Sequence, residues 1–216
     1  MAALQLFNYF RSSASFRVRI ALELKGLAYD YVPVHLLKNE QLKPPFSELT
    51  PTHLVPLMKD GEHTLAQSIA IIEYLDETHP APPLLPSDAL GRARVRALAF
   101  DVACEIHPLN NLRVLRYLTR ELGADEAAKE AWYRRWVEEG LAAVEAQLAG
   151  SPATGRCCHG DGPTLADLVL VPQIFNARRM SCRLDHVPTV LRIVDHCMTL
   201  DAFVKAQPSA CPDAVA

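Results

Sequence analysis

Residues 80–87, Pro-Ala-Pro-Pro-Leu-Leu-Pro-Ser, hold four prolines in eight positions. Such a run can continue neither a helix nor a sheet ladder, because each proline lacks the backbone donor and fixes its own φ. The chain reads differently on its two sides. Before residue 80, short alternating apolar stretches mark strands between helical segments. After it, apolar residues recur at helical spacing and strand signals nearly vanish. The sequence therefore predicts two domains, an α/β domain over residues 1–80 and an all-α domain over residues 88–216, with 81–87 as a stiff linker. A chain of 216 residues, half of them hydrophobic, has material for sizeable cores.

In the first domain, Leu4 and Leu6 alternate with Gln5 and Phe7, as in a half-buried strand. Ser12, Ser13 and Ser15 are residue types that cap helix starts. Phe16, Ile20 and Leu24 then repeat at four, as do Val18 and Leu22, and Gly26 supplies a helix stop. Residues 28–34 read as a second strand, which closes a βαβ unit. Residues 35–53 are irregular and carry Pro44, Pro45 and Pro51. Val55 to Leu65, broken by Asp60-Gly61, reads as a hairpin, and Pro56 is a candidate cis proline. Gln67-Ser68 opens a helix that ends near His79-Pro80.

In the second domain, a helical pattern over 88–120 is interrupted by Pro108, and a clean helix covers 125–149 before Gly150. Thr164-Leu165-Ala166-Asp167 has the form of a capping box ahead of an apolar run, so that helix should be the buried centre. One or two helices follow over 188–206. The tail from Pro208 is small and polar, and is expected to be mobile.

Lys and Arg number 22 against 25 Asp and Glu, a net charge of −3, and no basic run appears. That argues against nucleic acid as a partner. No apolar run approaches the ~20 residues of a membrane helix, and Met1-Ala2-Ala3-Leu4-Gln5 lacks the basic and apolar regions of a signal peptide. No membrane association and a cytoplasmic location are the expectations. None of the six cysteines forms a C-x-x-C pair. Cys157 and Cys158 are adjacent, with His159 beside them, but no second ligand pair has zinc spacing. No metal is expected, and free thiols in a reducing compartment are the ordinary reading.

The serine cluster before Phe16 sits at a helix start beside Arg11. Free N–H groups and the positive end of the helix dipole favour an anion there, whether thiolate, carboxylate or phosphate. The stretch has no cysteine, so a thiolate would have to come with a ligand. The plainer alternative is that the serines only cap the helix.

The thioredoxin-like order of the first domain, the linker and the helical second domain resemble the layout of the cytosolic glutathione transferases. Arg11-Ser12-Ser13-Ala14-Ser15-Phe16-Arg17-Val18-Arg19-Ile20-Ala21-Leu22 resembles the signature of the zeta class. Leu54-Val55-Pro56 is similar to the cis-proline element that pairs with the glutathione backbone. Gln67-Ser68 is similar to the pair that holds the glutamyl end, and Thr164 to Asp167 to the capping box of the core helix. His107-Pro108-Leu109-Asn110-Asn111-Leu112-Arg113 and Val171-Pro172-Gln173-Ile174-Phe175-Asn176-Ala177-Arg178-Arg179 resemble the bacterial maleylacetoacetate isomerases of that class. The motifs occur in family order between about residues 4 and 206.

The resemblance implies glutathione as a catalytic cofactor and a small dicarboxylate as substrate, whose cis C=C bond is isomerised by reversible thiolate addition. It implies Ser12 as the hydroxyl that holds the thiolate. Ser13, Ser15, Gln41, Val55, Gln67, Ser68, His107 and Asn111 become glutathione-contact candidates. Arg11, Arg113 and Arg179 become the cations for the substrate, with Arg11 also facing the charge that develops on the enolate oxygen. Arg178 is the expected surface member of its pair, and Arg17 and Arg19 are expected salt-bridge partners. His107 is as well suited to a structural hydrogen bond, and Asn111 to capping carbonyls freed by Pro108. The departure is Ala14, where many zeta members carry cysteine, which puts the weight on Ser12.

Maleylacetoacetate isomerisation in tyrosine and phenylalanine breakdown is the expected activity. Maleylpyruvate isomerisation in gentisate breakdown comes next, then glutathione-dependent conjugation or dehalogenation. A non-enzymatic interaction module is disfavoured because Ser12, Gln67 and Ser68 are all present. The family also implies a homodimer.

Overall fold

A computed structural model describes residues 4–214. The chain divides into two compact units. One runs to Leu84 and takes in the residues from Met198 onward; the other is Leu85–Cys197.

The first unit is built on strands β1 (Leu4–Asn8), β2 (Tyr29–Pro33), β3 (Leu57–Asp60) and β4 (His63–Ala66). Their order is β2-β1-β3-β4, with β1 parallel to β2 and antiparallel to β3, and β3 antiparallel to β4. Helix α1 (Ser13–Lys25) makes the crossover between the parallel pair. It ends at Gly26, whose φ of 63° is left-handed, a conformation glycine adopts at no steric cost. The hairpin pairs Asp60 with His63, so its loop residues are Gly61 and Glu62, one position beyond the Asp-Gly dipeptide. A short helix α2 (Phe46–Leu49) lies in the segment that leads to β3, and α3 (Ser68–Thr78) follows β4.

Every residue of α1 from Ser15 to Leu22 is buried, so the helix is covered all round. It packs against α3 and also against α9 (Asp201–Ala206), which comes from the far end of the chain. Burying Phe16, Ile20 or Leu22 removes enough apolar surface from water to contribute about 1.5–3 kcal/mol each. Lys25 ties the two helices together: its Nζ lies 2.6 Å from both Asp76 Oδ1 and the Pro82 carbonyl, and Asp76 also accepts the Leu84 N–H at 2.9 Å.

Arg19 does not form the expected salt bridge. It is 1% exposed, and its guanidinium donates to Asn8 Oδ1 (3.0 Å), the Phe10 carbonyl (3.1 Å) and the Ala206 carbonyl (2.9 Å). The tail also departs from expectation. Pro208–Ala210 is a 3₁₀ turn, and Pro208 and Cys211 are buried. Polar composition suggested mobility, but these two apolar residues find a surface to pack on.

The second unit is helical. It contains α4 (Ala89–Phe100), α5 (Leu112–Arg120), α6 (Glu126–Ala149), α7 (Leu165–Arg179) and α8 (Pro188–Cys197). The interruption at Pro108 is broader than a kink. Between α4 and α5 the chain passes through a π-turn (Asp101–Ile106) and a 3₁₀ turn (His107–Asn110). Trp132 Nε1 takes up the Leu109 carbonyl at 2.7 Å and stacks edge-on to Trp136, 5.7 Å between ring centres. Gly140 lets α6 approach this segment, since a Cβ there would meet Ile106 at 2.4 Å. Helix α7 is buried along Leu165–Ile174 as its sequence required. Its capping box is formed: Asp167 Oδ2 accepts from the Thr164 N–H and hydroxyl, both at 2.8 Å. No helix of the described residues is long and apolar enough to cross a membrane.

Candidate active site

Strand β1 ends at Asn8, and the turn Tyr9-Phe10-Arg11 delivers Ser12 to the start of α1. The Ser12 N–H donates to the Tyr9 carbonyl at 2.9 Å, which closes the turn. With φ −71° and ψ 118°, Ser12 is the N-cap, and its Oγ accepts the Ser15 N–H at 3.2 Å. A serine hydroxyl has one hydrogen to give and two lone pairs. Since Oγ accepts from the helix, its hydrogen points elsewhere. Ser12 is partly exposed, so that hydrogen is available to an anion at the helix start. Capping and anion binding are therefore compatible in one residue.

Its neighbours differ. Arg11 is exposed, its guanidinium 5.0 Å from the Phe10 ring centre, a cation beside the helix start. Ser13 is 4% exposed. Ser15 is fully buried and its Oγ has no hydrogen-bond partner. Like Gln41 Oε1 and His53 Nδ1, Ser15 Oγ is a buried polar atom without a partner. Ala14 is partly exposed in the first turn.

The second grip begins at Val55. The Val55–Pro56 bond is cis. The ladder between β1 and β3 ends at the pair Phe7 and Leu57, so Val55 lies beyond it, with its side chain packed near Tyr9 and Phe10. The third grip is Gln67-Ser68. Gln67 has φ 70° and ψ 115°, a sparsely populated conformation that costs a non-glycine residue about 1–3 kcal/mol. It precedes α3 without capping it by its side chain. Ser68 opens α3, and its Oγ accepts from Arg17 Nη1 at 3.3 Å. Arg17 is 2% exposed. A buried guanidinium thus stands behind a helix start, which adds to the preference for an anion there.

Gln41 is 9% exposed, and its Oε1 has no partner. The same is true of Nδ1 of His53, whose φ is 53°. A buried polar atom without a partner costs free energy, so a ligand or water that bonded either of these would be favoured. His53 was not singled out from sequence, although it directly precedes Leu54-Val55-Pro56.

The remaining candidates belong to the helical unit. His107 opens the 3₁₀ turn and is half-buried. Asn111 is the N-cap of α5, accepting the Arg113 N–H at 3.1 Å, so its capping serves amides and not the carbonyls before it. Arg113 is exposed. At the end of α7 the two arginines separate clearly. Arg178 pairs with Asp195 at 2.9 Å. Arg179 donates to Asn176 Oδ1 at 3.1 Å and has no carboxylate partner among the described residues. Its charge, unlike that of Arg178, is not offset by a carboxylate there.

Cys157, Asp167 and Cys197 bring ligand atoms within 4.8 Å of one another, a grouping that linear spacing did not reveal. Both Asp167 oxygens are already engaged, Oδ1 by the Cys158 N–H at 2.8 Å and Oδ2 by Thr164. Burial pushes the Cys158 thiol well up, towards its protonated form. The group reads as a helix cap, with the Cys197 thiol beside it pushed up by its bond to Cys157 and by burial.

A model of the glutathione S-transferase N-terminal domain matches residues 2–77. A maleylpyruvate isomerase of Ralstonia is 51% identical over 210 residues, 97% of this chain and 99% of that protein. The solved holo structure of a maleylpyruvate isomerase, described as a zeta-class bacterial glutathione S-transferase, superposes with TM-score 0.96. It is 51% identical and covers 98% of this chain and all of that one. The chain belongs to the zeta-class glutathione transferases. A maleylacetoacetate isomerase of Methylobacterium extorquens AM1, solved with bound malonate and GSH, superposes with TM-score 0.95 at 39% identity and covers 98% of this chain and all of that one. In this zeta-class transferase, then, the helix start at Ser12, the Val55 edge and the Gln67-Ser68 turn sit on the thioredoxin-like unit that the motifs foretold.

Proposed function

We propose that the chain is a glutathione-dependent cis–trans isomerase acting on maleylacetoacetate. The observation that carries this is the Ser12 hydroxyl, fixed as a helix cap through its oxygen while its hydrogen remains free to donate. The residues present fit glutathione. Gln41 Oε1 and His53 Nδ1 are buried polar atoms without partners, Val55 offers backbone beyond the sheet ladder, and Gln67-Ser68 backed by Arg17 suits a carboxylate. Glutathione supplies a thiolate that adds reversibly to the alkene, so that a double bond rotates as a single one.

The protein's own part is electrostatic. Ser12 and the α1 N-terminus favour the ionised thiol over the neutral one, against a free-thiol pKa of about 8.5. Arg11 is the cation of the first unit for a substrate carboxylate or a developing enolate oxygen. Arg179, and Arg113 after it, are those of the helical unit, where a guanidinium suits a planar carboxylate by paired hydrogen bonds. GSH and malonate bound to the Methylobacterium relative support both halves of this reading.

Maleylpyruvate is the second reading, favoured by the 51% identity to the Ralstonia maleylpyruvate isomerase. The two substrates differ in their keto-acid tails and present the same acid groups to these arginines. Comparing kcat/KM on the two, with glutathione, decides between them. Absence of isomerisation of either, or failure to bind glutathione by calorimetry, would overturn the reading. We place the enzyme in the cytoplasm, in keeping with its free, largely buried cysteines. We infer a homodimer from the family, and sedimentation at micromolar concentration showing a 23.9 kDa species would contradict it.

A further inference from the structure

We propose that the segment from Ala206 to Asp213 clamps the catalytic hinge, and that Asp213 is a positioning residue for Ser12. The proposal rests on the reading of Ser12 as the thiolate-holding residue.

The hinge Tyr9-Phe10-Arg11 joins a strand to a helix and has no ladder of its own. Both backbone polar groups of Phe10 are instead held by side chains. Its N–H donates to Asp213 Oδ2 at 3.3 Å, and its carbonyl accepts from Arg19 Nη2 at 3.1 Å. Arg19 also holds Asn8 Oδ1 and the Ala206 carbonyl, so one buried guanidinium joins the strand end, the hinge and the last helix. Asp213 in turn accepts from the Tyr31 hydroxyl on β2. The contact spans 203 positions of sequence, which chain connectivity alone would not bring about.

Apolar packing follows the same path. Cys211 is buried with Tyr9 and Phe10, and Tyr31, Leu36, Val55 and Ala214 close around them. The tail therefore shares one apolar cluster with the hinge that carries Ser12, and Val55 packs against that cluster. Burial and the bond to Asp213 push the Tyr31 hydroxyl far up, so it remains a donor throughout the working range. Ser12 Oγ can act on a thiolate only if its position is fixed to a fraction of an ångström. The turn bond from the Ser12 N–H to the Tyr9 carbonyl lies one residue from the clamped amide.

The test uses the full-length enzyme with Asp213→Ala and Asp213→Asn. In Asp213→Ala, amide hydrogen exchange at Phe10 and Ser12 should quicken about tenfold while that of α3 is unchanged. Ultraviolet titration of bound glutathione should show the thiolate forming about half a pH unit higher, and kcat should fall about fivefold. KM for the dicarboxylate should stay within about twofold, because no substrate contact is removed. Asp213→Asn, which keeps one acceptor oxygen, should recover part of each loss. Combined with Ser12→Ala, Asp213→Ala should cost nothing further in kcat, as expected when one residue acts through the other. A lowered melting temperature with unchanged thiolate titration and kcat would make Asp213 merely structural and overturn the proposal. Unchanged exchange at Phe10 would overturn it even if the enzyme proved not to bind glutathione, so the clamp and the functional reading can fail separately.

Discussion

Ser12 Oγ lies 3.2 Å from the Ser15 backbone nitrogen and accepts its hydrogen. This one bond gives Ser12 two duties, and substitutions separate them. Ser12→Ala removes both the cap and the thiolate donor. Stability should fall by about 1 kcal/mol, and kcat by about 10²-fold, as for loss of one donor to a developing or resident anion. Ser12→Thr keeps both groups and should retain most of the activity. Stopped-flow isomerisation assays with urea unfolding in parallel check this. Activity lost in Ser12→Ala only in proportion to stability would mean that the hydroxyl merely caps.

Ala14 invites the opposite change. It sits in the first turn of α1 and is partly exposed. A thiol there would face the same N–H groups and dipole that favour an anion. In Ala14→Cys that thiol should ionise about one pH unit below the usual 8.5. Iodoacetamide alkylation followed against pH measures this, and saturating glutathione should slow the labelling. A titration at or above 8.5 would show that the helix start lacks the field assigned to it.

Much of this was legible in the sequence because it depended on local rules. The α1 start is written in Ser12 and the four-residue repeat after it, and the α7 cap in Thr164-x-x-Asp167. Relations between distant residues were not legible. Nothing around Arg19 signals that its partners would be Asn8, Phe10 and Ala206 oxygens in place of a carboxylate. Cys197 lies 30 residues from Asp167, so its approach to that carboxylate follows only from how α7 and α8 pack. The tail was misread because composition reports polarity, whereas its order comes from two buried residues and one carboxylate. Spacing also cannot tell which serine of a cluster turns inward, as Ser15 does.

Arg178 and Arg179 are adjacent, alike in charge, and expected to behave differently. Asp195 at 2.9 Å neutralises Arg178, whereas Arg179 is held only by the neutral Asn176 oxygen. Arg179→Ala should raise KM for the dicarboxylate about 10- to 100-fold with little change in glutathione affinity, the cost of losing a paired guanidinium–carboxylate contact. Arg178→Ala removes an exposed ion pair worth at most about 1 kcal/mol and should leave KM within about twofold. Steady-state kinetics on both variants check this. Equal effects from the two would remove Arg179 from the substrate site.

Alkaline pH should destabilise the first unit through its raised phenols. Burial pushes the Tyr29 hydroxyl up to about 12, against the lowering influence of Arg19, and moves Tyr31 upward by burial and by its bond to Asp213. In the unfolded chain these phenols ionise near pH 10. Above that the unfolded chain sheds protons that the folded chain retains, so stability falls as pH rises. For Tyr29 the contribution is complete below about pH 10 and is lost by about pH 12. Urea midpoints measured at intervals from pH 9 to 11.5 should therefore decline. Tyr29→Phe should flatten the decline, since phenylalanine has no proton to lose in either state. Tyr31→Phe should flatten it further and also quicken exchange of the Phe10 amide, because it strips Asp213 of a donor beside the hinge. An unchanged slope in both variants would place the alkaline sensitivity in other phenols, such as Tyr74, pushed up by its bond to Asp60, or Tyr133 of the helical unit, pushed up by burial.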